Sequence, residues 1–248
     1  MLQIERQEKI YEYLQEKKSA TVNKLAVITR SSQATVRRDL AFMEKQGLLR
    51  RTHGGAILFE SSNDETSSSV RINENKQQKD KIASIVLPLL SSGRTLFFDA
   101  SSTVLAVCKI FDLKYKTVIT NGLLCALSLA EKETLNVIMP SGSLVYNSNS
   151  LVGASAIKAL DTFNPDIALF SCGAVSEGRV MEATLEGAEI KKTVINKAKT
   201  KILLVTSNKF NKTLPFETAK CDDFDYIISD SAPDFSQLQF MNKCKVLY

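Results

Sequence analysis

Six short apolar runs constrain this chain most. They fall at 95–99, 117–120, 136–139, 167–171, 201–205 and 226–229, and each has an unbroken apolar centre, such as Leu96-Phe97-Phe98, rather than an alternation with polar residues. Around and between them lie segments of helical period, at 80–90, 102–111, 123–131, 153–160 and 188–199. A strand that is apolar on both sides must be covered on both faces, and intervening helices supply the cover and the crossovers. The pattern therefore predicts an α/β fold with a mostly parallel sheet. No internal repeat is visible.

The first sixty residues follow another rule. A helix is expected over 3–18, with Ile10, Tyr13 and Leu14 on one face. A short helix over 22–29 is capped by Thr21 and turns Val22, Leu25 and either Ala26 or Ile28 inward. Ser31-Ser32 makes a turn and a cap. A third helix over 33–46 buries Val36, Leu40 and Met43 at i, i+4 and i+7, and Gly47 stops it. Two short strands, 48–51 and 56–59, flank a hairpin tip at 52–55. This is the layout of a winged helix-turn-helix. The stretch 60–69 is rich in Ser and has no apolar residue, so it reads as a linker. The expected organisation is a winged helix-turn-helix at 1–59, a linker at 60–75 and an α/β domain at 76–248.

Charge agrees with that division. Residues 1–60 hold 11 Lys/Arg against 7 Asp/Glu, whereas the rest hold 21 against 20. Positive charge is thus concentrated where phosphate contact would need it. The second helix of such a pair lies in the major groove of DNA. Gln33, Thr35, Arg37 and Arg38 avoid the apolar stripe and can face outward. Gln can pair with adenine and Arg with guanine. Ser31 and Ser32 can donate to phosphate. Arg50, Arg51 and His53 sit on the wing, within reach of the backbone or minor groove, and Gly54-Gly55 let the tip turn tightly. Asp39 suits DNA poorly and is expected to pair with a neighbouring arginine. By pattern alone, a solvated cationic helix in an ordinary three-helix domain stays open as the alternative.

Several classes are excluded. The five cysteines are scattered, without zinc-ligand or CxxC spacing, and read as reduced, mostly buried thiols. The single histidine, His53, leaves no His-rich metal site or Ser-His-Asp triad for the C-terminal part. No cofactor is expected. No apolar run approaches the ~18–20 residues that span a bilayer, and the N-terminus lacks the features of a signal peptide. The expectation is a soluble cytoplasmic protein with no membrane partner.

Parallel α/β sheets bind ligands at the carboxyl ends of their strands. Three loops there stand out: Asp99-Ala100-Ser101-Ser102-Thr103, Thr120-Asn121-Gly122 and Ser207-Asn208-Lys209-Phe210. Small hydroxyl residues and free amides at a helix N-terminus make a phosphate cradle, and Lys209 adds a cation. A small anionic ligand is the favoured reading.

The motifs Arg6-x3-Ile10, Ser32-x2-Thr35-Val36-Arg37-Arg38-Asp39-Leu40 and Gly47-Leu48-x2-Arg51-x-His53-Gly54-Gly55-Ala56 resemble the DeoR-type bacterial transcriptional regulators over residues 3–58. The resemblance continues from about 77 to 230 through Asp99-x-Ser101-Ser102-Thr103, Thr120-Asn121, Gly142, Gly153, Gly173, Glu189-Ile190-Lys191 and Lys209-Phe210. It implies a regulator of double-stranded operator DNA, a repressor of a sugar-metabolism operon that a phosphorylated sugar releases. It implies a sensor domain similar in fold to ribose-5-phosphate isomerase and assembly as a homo-oligomer, a dimer or tetramer. The implied effector residues are Ser101, Ser102 and Thr103 on phosphate, with Asp99, Asn121 and Lys209 on sugar hydroxyls or phosphate. Thr120 and Gly142 complete the set. The sequence departs from the family pattern at Ser141-Gly142, at 145–147, at Gly187 and at Thr206.

The competing class is a sugar-phosphate isomerase-like enzyme carrying a DNA-binding head. Asp99, Glu182 or Glu186 could act as base, and Lys209 could polarise a carbonyl. An attached helix-turn-helix is explained by a sensor and not by an isomerase, so no catalytic residue is expected. A dimerisation scaffold without ligand is the third reading.

Overall fold

Apolar residues three and four apart build the first three helices, α1 (Gln3–Lys17), α2 (Val22–Thr29) and α3 (Gln33–Lys45). In the computed structural model, which describes residues 2–45, 48–58 and 68–248, they pack into one core. Ile10, Leu14, Leu25, Val36, Leu40 and Met43 meet there with Leu49 and Ala56. Thr21 caps α2 by accepting a hydrogen bond from the Lys24 amide. The expected helix end at 46–47, the strand end at 59 and the linker as far as 67 lie outside the described residues.

The wing is a three-stranded antiparallel sheet in the order β1-β3-β2, formed by β1 (Ser19–Thr21), β2 (Arg50–Thr52) and β3 (Gly55–Ile57). Nothing apolar announces β1; it forms because β3 offers a free edge, with Ala20 opposite Ala56. The hairpin strands are offset from expectation. Leu49 is drawn into the core, so the strand starts at Arg50, and the turn narrows to His53-Gly54. The glycine requirement lies at Gly55 rather than in the turn. A Cβ there would stand 2.0 Å from the Ala20 carbonyl oxygen, whereas one on Gly54 would meet nothing within 4 Å. Gly55→Ala is expected to destabilise the first unit by about 1–3 kcal/mol through that clash. Gly54→Ala should be tolerated, and urea midpoints of the two variants check the difference.

The chain divides into two compact units, Met1–Arg71 and Ile72–Tyr248. A short helix, α4 (Ser68–Asn73), occupies part of the stretch read as linker. Its apolar Val70 is buried and Ile72 packs on a core, so the polar composition of 60–69 does not extend through 75.

The second unit runs α5 (Lys76–Val86), β4 (Thr95–Phe98), α6 (Ser102–Ile110), β5 (Thr117–Thr120), α7 (Leu123–Ala130) and β6 (Asn136–Ile138). A hairpin, β7 (Ser143–Val145) and β8 (Ser150–Val152), precedes α8 (Ala154–Leu160) and β9 (Ile167–Ser171). Then come β10 (Ala174–Ser176), β11 (Arg179–Glu182), α9 (Leu185–Ile195), β12 (Thr200–Val205), β13 (Phe216–Lys220), β14 (Tyr226–Ser229), α10 (Phe235–Leu238) and β15 (Lys245–Leu247).

The main sheet has seven strands in the order β15-β14-β12-β9-β4-β5-β6, all parallel. All six apolar runs lie in it. Alternate residues feed two cores: Phe97, Phe170, Leu203 and Ile227 point to one face, and Leu96, Phe98, Leu169, Ile202 and Leu204 to the other. This is why the runs are unbroken. The fold is α/β as expected. The hairpin β7-β8 and the small antiparallel sheet β10-β11-β13 were not legible, being of three to five residues each without a continuous apolar signal. Among the described residues no helix is long and apolar enough to cross a membrane.

Candidate DNA interface and effector site

The turn between α2 and α3 is made by Arg30 in the left-handed region, and its amide closes back on the Ala26 and Val27 carbonyls. Ser31 is spent in this turn. Its amide donates to the Ala26 carbonyl at 3.0 Å and its hydroxyl to the Thr29 carbonyl at 3.0 Å. A hydroxyl has one proton, so Ser31 has none left for a phosphate in this geometry. Ser32 caps α3, accepting from the Thr35 amide at 3.1 Å, and its hydroxyl lies 2.9 Å from that of Thr35.

Helix α3 has two distinct faces. Val36, Asp39, Leu40 and Met43 are buried, while Gln33, Arg37 and Arg38 are exposed and Thr35 is half-buried. Arg37 donates to the Gln33 side-chain oxygen at 3.2 Å, one turn away, so the two present their polar groups together. The arginine that pairs with Asp39 comes from another helix. Arg6 of α1 reaches it through two nitrogens at 2.5 and 3.2 Å, and Gln7 adds a third bond at 3.3 Å. This pair ties α1 to the middle of α3. On the wing, Arg50, His53 and Gly54 are exposed. Arg51 is engaged by Glu44, which accepts its amide at 2.7 Å and lies 3.7 Å from its guanidinium.

In the second unit the strand order reverses between β4 and β9, since the chain builds outward from β4 through β5 and β6 before returning to β9. Crevices at such reversals bind ligands. Asp99 follows β4 there and is 1% exposed. One of its oxygens accepts the Ser101 amide at 2.9 Å; the other accepts the Ser171 amide at 2.8 Å and lies 3.3 Å from Lys191 Nζ. Ser101 caps α6 through the Val104 amide. Thr103 is buried with its hydroxyl 3.4 Å from that of Ser171, which also accepts from Lys209 at 3.1 Å. Ser102, on the first turn of α6, is half-buried.

The neighbouring strand end brings Thr120, whose hydroxyl accepts the Gly122 amide, and Asn121, which donates to the Leu151 carbonyl. The Asn121 side-chain oxygen is buried without a partner. Gly142 belongs elsewhere. It precedes β7 at φ 145°, where a Cβ would stand 2.7 Å from the Val152 carbonyl oxygen. Its glycine is explained by hairpin packing.

Lys191, Ser171 and Cys172 lie at this end of the sheet and have no place in the expected site, and Glu182, weighed only as a candidate base, joins them. Lys191 of α9 reaches across to Asp99, donates to the Ser171 carbonyl at 2.6 Å, and pairs with Glu182 at the end of β11. Burial pulls the Lys191 ammonium down, but the carboxylates of Glu182 and Asp99 outweigh it and raise the group above its ordinary 10.5. Local sequence signals none of this, because a lysine flanking the apolar stripe of a helix usually faces solvent. Cys172 sits among these charges. Burial pushes its thiol up to about 12, partly opposed by Lys209, so it is protonated and inert.

The comparisons bear on both units. Residues 6–62 match the family model of the DeoR-like helix-turn-helix domain, and residues 74–231 match that of the DeoR C-terminal sensor domain. The HTH-type transcriptional repressor GlcR of Bacillus subtilis is 31% identical over 94% of this chain and 91% of its own length. The HTH-type transcriptional regulator GolR of Listeria innocua is 29% identical over 93% and 92%. Among solved structures, ribose 5-phosphate isomerase A of Methanocaldococcus jannaschii aligns with a TM-score of 0.42 and 17% identity, over 57% of this chain and 57% of that one. Both halves of the sequence thus match one architecture in one order, and the chain belongs to the DeoR-type family of transcriptional regulators.

Proposed function

We propose that this protein is a repressor that binds operator DNA through its first unit and is released when a phosphorylated sugar occupies the crevice of its second. The observation that carries the reading is the exposed Gln33, Arg37 and Arg38 face of α3 beside a cationic wing. Gln33 and Arg37 read base edges, Arg38 and Thr35 reach edges or phosphate, and Ser32 donates to phosphate. Arg50, Arg51 and His53 hold the backbone, and exposed Gly54 leaves the wing tip without a side chain between it and the DNA. Ser31 shapes the turn.

In the crevice, the phosphate sits at the N-terminus of α6 against Ser101, Ser102 and Thr103, with Lys209 as counter-charge. Asn121, beside Thr120, turns its unpartnered oxygen to a sugar hydroxyl. Asp99 positions the loop rather than touching the ligand, because both its oxygens are engaged. With that carboxylate occupied, it is a poor base, which favours a sensor without turnover over an isomerase. GlcR is named a repressor, and the same sign is assigned here. Pairs of chains would place two heads on half-sites about 34–36 Å apart, and the protein acts in the cytoplasm, where the operator is. Effector release follows from tighter binding to the arrangement that misplaces the heads.

The test is fluorescence anisotropy on DNA upstream of the protein's own and neighbouring genes, titrated with sugar phosphates and the matching free sugars. Release by one ester and not by its free sugar is expected. Tight binding unaffected by every ester would overturn the sensor assignment and leave the DNA reading standing.

A further inference from the structure

Two carboxylates meet Lys191 at this end of the sheet, and only one has capacity to spare. Asp99 accepts from two amides and lies against Lys191. Glu182 gives one oxygen to Lys191, and no described residue bonds to its other oxygen. That second oxygen is not sealed away, since it is absent from the buried atoms that lack partners, and the side chain keeps 12% of its surface. Glu182 arrives from β11, outside the parallel sheet, and is linked to Asp99 at the start of the α6 loop through Lys191.

A second observation points to a guest. Asn121 and Thr206, at the carboxyl ends of β5 and β12, are 4% and 1% exposed, and each holds a buried oxygen without a partner. Buried polar atoms left unpaired are costly, and a hydroxylated ligand would satisfy them.

Resting on the sugar-phosphate reading of this crevice, we propose that Glu182 determines specificity by accepting hydrogen bonds from the hydroxyl end of the effector through its free oxygen. Lys191 is the positioning residue that holds it there. The arrangement names the ligand class. A phosphate monoester whose far end is a neutral polyol, or an amino sugar, is accepted. A bisphosphate or a sugar acid, which would bring a second anion against Glu182, is rejected by repulsion. A site built around a charged acceptor also penalises a ligand that leaves it unpaired.

The test uses the full-length protein in isothermal titration calorimetry. The probes are ribose 5-phosphate, glucose 6-phosphate, fructose 1-phosphate and glucosamine 6-phosphate, with inorganic phosphate and fructose 1,6-bisphosphate as references. In the wild type, at least one monophosphate should bind about tenfold or more tightly than inorganic phosphate, and more tightly than the bisphosphate. Glu182→Gln keeps the shape and leaves Lys191 with Asp99 and the Ser171 carbonyl. It should leave inorganic phosphate within about twofold, erase roughly tenfold of the monophosphate's advantage and improve the bisphosphate. Glu182→Asp, which keeps the charge, should restore discrimination against the bisphosphate. Equal losses on all probes in Glu182→Gln, or an unchanged order of preference, would overturn the role of Glu182 while leaving the sugar-phosphate reading intact. A wild type that binds no monophosphate better than inorganic phosphate would overturn that reading and this proposal together.

Discussion

Lys191→Met should lower the stability of the second unit by about 3–5 kcal/mol, because it leaves buried Asp99 and mostly covered Glu182 without their cation. Asp99 is 1% exposed and Glu182 12%, and the ammonium is the only positive group bonded to either among the described residues. The methionine fills the volume, so the loss is electrostatic and not a cavity. With a urea slope of about 1–3 kcal/mol per molar, the midpoint should fall by a molar or more. Lys192→Met is the control: that residue is exposed, forms no ion pair among the described residues, and should change stability by no more than ~0.5 kcal/mol. Equal midpoints for the two variants would mean that solvent reaches the cluster freely. The raised Lys191 pKa fixes the pH window. Its contribution is complete at any pH below the ordinary lysine value of 10.5 and is lost only as pH rises through the higher folded value.

Arg37→Ala should cost about 1–3 kcal/mol on the operator, roughly 5–150-fold in affinity, and far less on random DNA. The guanidinium is exposed and oriented by Gln33 one turn earlier, as a base-reading side chain must be. Arg51→Ala should behave differently. In the proposed role of a backbone contact, its loss should weaken operator and random DNA together and lower the slope of log affinity against log salt by about 0.9. Because Glu44 already shares the Arg51 charge, the loss should be the smaller of the two. Anisotropy on both DNAs between 50 and 200 mM salt would separate the roles, on the order of salt dependence known for phosphate contacts. Equal losses on the two DNAs for Arg37→Ala would remove it from base reading.

Much of the main sheet was legible because burial on both faces leaves a direct trace, an unbroken run such as Ile167–Ser171. The head was legible for a similar reason, through the Val36, Leu40 and Met43 stripe. What escaped has weak local cause. Strand β1 exists because β3 has an edge to pair. Strand β15 closes the sheet at Lys245–Leu247, with only Val246 and Leu247 as signal. The glycine requirement at Gly55 comes from a carbonyl thirty-five positions earlier, and that at Gly142 from Val152 across a hairpin.

The candidate site divides the same way. Residue type and position on a strand end or exposed helix face pointed to Gln33, Arg37, Ser102, Asn121 and Lys209. They said nothing of which side chains were already committed. Asp39 was expected to find an arginine, and only the packing of α1 on α3 made it Arg6. Ser31 and Asp99 carry the right chemistry, yet their hydrogen-bonding capacity is used by the Thr29 carbonyl, by two backbone amides and by Lys191. Periodicity and composition by themselves determined two units, a winged helix-turn-helix and a parallel α/β sheet, because burial acts on neighbours in sequence. The tertiary structure alone decided that Lys191 joins Asp99 to Glu182, since ion pairing acts through space between elements whose separation along the chain carries no mark of it.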